Sequence, residues 1–412
     1  MKNLQKRIFK IAMIAFALGV ILVGCFWNSP EEDSTFLPLD DSEYPYADLP
    51  RIVIETEDFT QIRDRETKIP AKLQIYGKDA PESDVLDLTI KGRGNSSFTM
   101  AKYSIKLKFN EAQSLFGMPA DKEWDLVSNQ RDKSMLRNYI TYQLARILQD
   151  EYSPQCRFVE LYLNREYMGV YLLVEHVKVA PHRVNLVKND SSFLFEKTED
   201  ENDDDIIFES SLNYIFNIKY PKPPKQECIN LLKTHVNEFE NRLSNDCITL
   251  SDWIDIDDFV RYYWIQEFSK NIDGAFGRSI FITWQVNEPF KMGPVWDFDL
   301  AYGIGNTRMM SSNDWYVRNQ GWYQHLIKNN TFKSKVNQFW KENRNFFVDM
   351  TDSIVSSLNL LKDASDNEFK RWPILENDEI WPFVESYNSY EAAVDSLKSW
   401  TTRRIQWIDE HL

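Results

Sequence analysis

Apolar and polar residues alternate in short runs between residues 51 and 109: Arg51-Ile-Val-Ile-Glu55, Ala71-Lys-Leu-Gln-Ile-Tyr76, Leu86-Asp-Leu-Thr-Ile90 and Tyr103-Ser-Ile-Lys-Leu-Lys-Phe109. A period of two is that of a half-buried strand. Gly92-Arg-Gly94-Asn-Ser-Ser97 breaks the series as a tight loop. The spacing then changes: Leu136, Ile140, Leu144 and Ile147 share one face, predicting a helix from Asp132 to about Leu148 with Asp132 as its N-cap. Phe158–Leu163 and Met168–Glu175 return to strand, joined through Asn164-Arg165-Glu166 as a hairpin. After an acidic stretch from Glu199 to Asp205, expected to be an exposed loop, helical spacing dominates. Helices are expected over 226–243, 255–269, 331–346, 349–363 and 389–411, with a short β signal at Ser279–Trp284. The pattern defines an α+β chain with a mostly antiparallel β-rich lobe at about 49–197 and a mainly helical lobe at about 206–412.

The first residues carry Lys2, Lys6, Arg7 and Lys10, then an apolar run ending Leu22-Val23-Gly24-Cys25. A basic segment followed by an apolar run too short to span comfortably reads as a secretory signal over residues 1–24. Gly24 directly before Cys25 matches a bacterial lipobox, so lipid on Cys25 is expected to hold the chain to a membrane. The predicted location is the cell envelope, at the outer membrane or cell surface in a Gram-negative cell. Residues 25–48 are acidic and Pro-bearing and read as a flexible tether. Removing the signal segment takes the formal charge from −15 to about −19. That acidity argues against nucleic acid as a partner. Cys156, Cys228 and Cys247 show no metal-ligand spacing, and no disulfide is expected from them.

Three clusters carry candidate chemistry. Lys91-Gly-Arg-Gly-Asn-Ser-Ser97 followed by Lys102-Tyr-Ser-Ile-Lys106 pairs a turn rich in backbone N–H groups with nearby cations, a combination suited to an anion. Asn271-Ile-Asp273-Gly-Ala-Phe-Gly277-Arg278 puts an acid in a Gly-containing loop, and Trp296-Asp297-Phe298-Asp299 puts two more beside an aromatic. One carboxylate to orient a nucleophile and another to hold Mg²⁺ is a phosphoryl-transfer layout. The many Trp and Tyr would also permit a partner in surface glycan handling, though core packing explains aromatics more often.

Taken in order, Arg93–Ser97, Lys102–Lys106, Leu115–Met118, Trp124–Val127, Asp132–Asn138, Leu161–Glu175, Asn271–Asp273 and Trp296–Asp299 resemble the CotH kinase family from about Leu49 to the end. The resemblance implies a two-lobed atypical protein-kinase-like fold over 49–412, with ATP between the lobes and Mg²⁺ or Mn²⁺ as cofactor. It implies Asp273 as the catalytic acid and Asp297, with Asp299, as metal ligands. Lys102 or Lys106 would meet the nucleotide phosphates, with Arg93 in the loop above them. Arg137 would either serve phosphate or pin its helix to the sheet, and Glu175 is a hinge candidate. The acceptor would be a protein Ser/Thr or another surface hydroxyl. Arg278 stands where the family generally keeps a metal-binding Asn. A guanidinium has no lone pair for a metal, so Arg278 either weakens metal binding or grips phosphate itself. The alternative is a non-catalytic, pseudokinase-like binding or assembly module.

Overall fold

The computed structural model describes residues 36–148, 152–200, 202, 205–246, 248–305, 311–377 and 385–412. Asp41–Leu412 form one compact unit. The signal segment, the lipid site Cys25 and Cys247 lie outside the described residues. Cys156 and Cys228 are free thiols. Among the described residues no helix is long and apolar enough to cross a membrane.

The alternating runs form strands β1 (Arg51–Thr56), β2 (Ile69–Tyr76), β3 (Leu86–Arg93), β4 (Ser104–Gln113), β5 (Asp121–Val127), β6 (Cys156–Leu163) and β7 (Glu166–Glu175). They close into a seven-stranded barrel in the order β1-β2-β3-β4-β5-β7-β6. Neighbours are antiparallel except at the seam, where β1 runs parallel to β6 with Ile54 opposite Leu163. One residue in two points inward, so Ile52, Ile54, Ile90, Ile105, Leu107, Trp124 and Leu126 fill the barrel. The hairpin between β6 and β7 turns on Asn164 and Arg165, both at positive φ, as a two-residue turn matched to the strand twist requires. β5 hides its alternation because Trp124, Asp125 and Leu126 are all buried: its outer face, carrying Asp125, is covered by charged side chains.

A second sheet lies in the other half. It runs β12-β11-β8-β10-β9, where β8 is Ser192–Thr198, β9 Ile207–Glu209, β10 Ile215–Tyr220, β11 Ile280–Gln285 and β12 Lys291–Met292. β8 pairs with both β10 and β11, which follow the lobe boundary expected between residues 197 and 206. β8 is almost wholly buried and lacks a clean period of two, which is why only the β11 signal is legible.

Six α-helices occur among the described residues: α1 (Arg137–Leu148), α2 (Gln226–Ser244), α3 (Ile256–Ser269), α4 (Tyr323–Leu326), α5 (Asn330–Arg371) and α6 (Tyr390–His411). α1 starts five residues after Asp132, yet Asp132 still serves its first turn, accepting the Arg137 backbone N–H at 2.8 Å. The two helices expected over 331–346 and 349–363 are one helix of 42 residues, α5. Its span contains neither Gly nor Pro, and Phe332, Val336, Trp340, Phe347, Ile354 and Leu361 keep one buried stripe along it. Asn329 caps it by accepting from the Thr331 and Phe332 N–H groups.

The far end of α5 grips the barrel. Glu368 accepts from the Val170 N–H at 2.7 Å and from Lys102 Nζ at 2.6 Å, and Lys102 also donates to the Val170 carbonyl at 2.7 Å. Gly169, at φ +95°, leaves room for this carboxylate, because a Cβ there would stand 2.2 Å from Glu368 Oε2. The segment expected to be a free tether is packed from Asp41 onward. Asp41 pairs with Arg51 at 2.6 Å, Tyr44 stacks on Tyr167, and the Pro45 carbonyl accepts from Asn367 at 2.7 Å.

Candidate active site

One rim of the site is the turn after β3. Gly94, at φ +85°, lets the chain fold back so that Ser97 Oγ lies 2.0 Å from where a Cβ would be. Ser128–Arg131, following β5, and Asn138 on α1 form the floor. Facing them are Glu196 to Asp200 at the end of β8, the loop from Ile272 to Ser279 after α3, and Trp296 to Leu300 after β12. Together these enclose a cleft of about 620 Å³.

The two acid-bearing loops are fastened to each other and to α1. The Ile272 N–H donates to the Leu300 carbonyl at 3.1 Å and the Tyr302 N–H to the Ser269 carbonyl at 2.7 Å. Asn271 Nδ2 donates to the Asp297 carbonyl at 3.1 Å, and the Phe298 N–H donates to Asn138 Oδ1 at 2.8 Å. Asp297 itself sits at φ 62°, an uncommon conformation for a residue with a Cβ and one that clusters at functional sites. Its Oδ2 accepts from Ser279 Oγ at 3.3 Å.

This scaffold brings carboxylate oxygens of Asp273, Asp297 and Asp299 within 4.8 Å of one another. Burial, and then the charge of Asp297, push Asp273 up to about 7. Burial and Asp297 raise Asp299 as well, against the pull of Arg131. Asp273 and Asp299 thus hold their protons more tightly than ordinary carboxyls, because burial and a neighbouring carboxylate outweigh the nearby arginines. An oxygen-only donor set of this kind fits a hard divalent cation such as Mg²⁺ or Mn²⁺.

Of the residues expected at the site, Arg93, Asp273, Arg278, Asp297 and Asp299 line the cleft, and Lys102, Lys106, Arg137 and Glu175 do not. Lys102 is consumed by Glu368 and the β7 backbone. Lys106 belongs to the charged outer face of the barrel, 2.7 Å from Glu123 and 2.9 Å from His176 Nε2. Arg137 takes the pinning role, but to a loop rather than the sheet: it pairs with Asp132 and donates to the Ala301 and Tyr302 carbonyls at 3.0 and 3.2 Å. Glu175 is buried, paired with Arg183, and accepts from the Gln155 N–H at 2.9 Å. Arg93 reaches the cleft while held 3.3 Å from Asp125 and over the Trp296 ring.

Two features escaped the sequence reading. Arg131 spans the cleft, 3.3 Å from Asp299 Oδ2 and donating to Ser96 Oγ at 2.8 Å. Glu199, Asp200, Asn202 and Asp205 line the cleft, although an acidic run at this point reads as a solvated loop. Arg131 precedes a recognisable helix start, and its position there was the only signal available.

The outer-face charges predict a pH effect. Burial favours a neutral Glu123, but Lys106, His176 and Lys178 overcome it and lower its pKa to about 2. Asp125 is likewise held low, by Arg93, His176 and Lys106 against burial. A depressed carboxylate contributes stability above its unfolded pKa and loses it as pH falls through the folded one. Glu123 should therefore stabilise the protein fully above about pH 4.5 and progressively less towards pH 2. Urea midpoints of wild type and Glu123→Gln should converge over that window. Parallel curves from pH 6 to pH 3 would contradict it. His176, which burial makes harder to protonate, adds a loss of the same sign at higher pH, larger in Glu123→Gln because Glu123 favours the protonated ring.

The chain belongs to the CotH kinase family: the family model described as CotH kinase protein matches residues 90–408. That span contains the barrel from the end of β3, the second sheet, and every acid of the cleft. No curated protein sequence matches the chain.

Proposed function

We propose that the chain is a phosphotransferase of kinase-like, two-lobed organisation. It would move the γ-phosphoryl group of ATP to a Ser/Thr hydroxyl of a protein, or to a hydroxyl of a surface polymer. The observation that carries this reading is the meeting of Asp273, Asp297 and Asp299 in a cleft whose opposite rim is a Gly-bearing turn flanked by Arg93 and Arg131. Asp297 and Asp299 would hold Mg²⁺ or Mn²⁺, which when bound neutralises charge on the phosphates. Asp273, raised to about 7, suits a group that orients the acceptor hydroxyl and takes its proton. The acceptor oxygen forms the new bond to phosphorus while the bond to the ADP oxygen breaks. Arg131 and the N–H groups of the Gly94–Ser97 turn supply donors for phosphate oxygens. In the cell the domain would be tethered to the envelope by lipid on Cys25.

The test is incubation with γ-labelled ATP, Mg²⁺ or Mn²⁺ and a generic protein acceptor, beside Asp297→Asn. Label on the acceptor or the chain, lost in the variant, is expected; equal label in both, or no nucleotide-induced rise in Tm, would end the proposal. The contact of Arg278 with Asp273, 3.6 Å from Nε to Oδ1, favours a second reading in which the cleft binds without transferring. That reading expects the rise in Tm without label.

A further inference from the structure

Seven carboxylates line the cleft, and five of them carry the argument: Glu199, Asp200, Asp273, Asp297 and Asp299. They divide into two groups that share Asp273. In the first, oxygens of Asp273, Asp297 and Asp299 approach within 4.8 Å of one another, with the Arg131 guanidinium beside them, 3.3 Å from Asp299 Oδ2. In the second, a cation is already built in. The Arg278 guanidinium lies 2.9 Å from Glu199 Oε2, 3.5 Å from Asp200 Oδ2 and 3.6 Å from Asp273 Oδ1. The surrounding elements hold this arrangement. Lys197 Nζ donates to the Gly277 carbonyl and lies 3.6 Å from Glu199 Oε1, tying β8 to the loop that carries Arg278.

We infer that Arg278 is the resident cation of the second carboxylate group, so that the cleft takes one divalent ion where the same cleft without the guanidinium would take two. The inference rests on reading the three aspartates as a cation site, and not on whether the site transfers phosphate. A guanidinium cannot be deprotonated in a protein and offers no lone pair. Its charge therefore persists at every working pH and repels a divalent ion from the same carboxylates. Arg278 also joins β8 to the acid loop, a bridge that a freely exchanging ion would make only when present. In this view Arg278 does not disable the site; it replaces one of the two ions that kinase sites hold.

Counting Mn²⁺ tests this without any activity. The full chain is titrated with Mn²⁺ alone and free ion is read by electron paramagnetic resonance, with Tm recorded to confirm that each protein is folded. Wild type should bind one ion, Arg278→Asn two, and Arg278→Lys, which keeps the charge, one. Asp297→Asn should lose the ion bound by wild type. Should Arg278→Asn not fold, Arg278→Gln is counted in its place. Two ions on wild type, or a single ion on the charge-removing variant, would overturn the inference. No ion on any protein would overturn it together with the cation reading of the aspartates. One ion on wild type and two on Arg278→Asn, with no label transferred from ATP, would uphold this inference while the phosphotransferase proposal failed.

Discussion

Asp297→Asn is expected to lower phosphoryl transfer by about a thousandfold while leaving the melting temperature of the unliganded protein unchanged or raised. The activity loss follows if several kcal/mol of charge stabilisation depend on a cation held at this carboxylate. The stability effect has the opposite sign because the charge of Asp297 lies against two other buried carboxyls. Its charge raises the pKa of both Asp273 and Asp299, so a neutral amide should let both return towards ordinary carboxylate values. Asn is the appropriate replacement because it keeps the shape of Asp and tolerates the left-handed backbone at φ 62°. Kinetics and thermal melts on the same preparations check both halves. A fall in Tm alongside the fall in activity would mean that the Asp297 side chain holds its loop through Ser279, and that its charge is secondary.

Lys102→Met should cost about 3–5 kcal/mol of stability, the range found when one partner of a buried ion pair is removed. Lys102 and Glu368 are both almost fully buried, and without the ammonium the Glu368 carboxylate keeps only the Val170 N–H. Burial already pulls the Lys102 pKa down against the pull of Glu368, so the environment is one in which an unpaired charge is poorly tolerated. Lys102→Met combined with Glu368→Gln should recover much of the loss, because no uncompensated charge remains. Urea denaturation of the two single variants and the double variant measures the coupling. A lysine that met nucleotide phosphate would behave differently. Its loss would raise the KM for ATP and leave the urea midpoint in place, and that outcome would refute the structural role.

The contrast between Lys102 and Arg131 shows where sequence reading stops. Both are cations near a recognisable motif, and local pattern favours Lys102, which follows a Gly-rich turn as a phosphate-binding lysine would. Its destination is set by Glu368, more than 260 residues away, on a helix whose length is itself misjudged when read as two. Arg131 reaches the cleft because the barrel strand before it and the helix after it place it there. Asp273, Asp297 and Asp299 were legible because an acid in a Gly-containing loop followed by acids beside an aromatic is a phosphoryl-transfer layout. Their meeting was legible only through the family resemblance.

The sequence by itself determined the strands that alternate, the helices α2, α3 and α6, the family, and the three aspartates. These depend on residue type and on spacing within one element, which a chain displays without folding. Tertiary structure alone decided that seven strands close through a parallel seam between β1 and β6 and that β8 joins the second sheet. It also decided that Lys102, Arg137 and Glu175 serve the scaffold, and that Arg278 faces Glu199 and Asp200. Each of these is a pairing between distant segments, and a charged side chain's partner is set by whichever opposite charge the fold brings within reach.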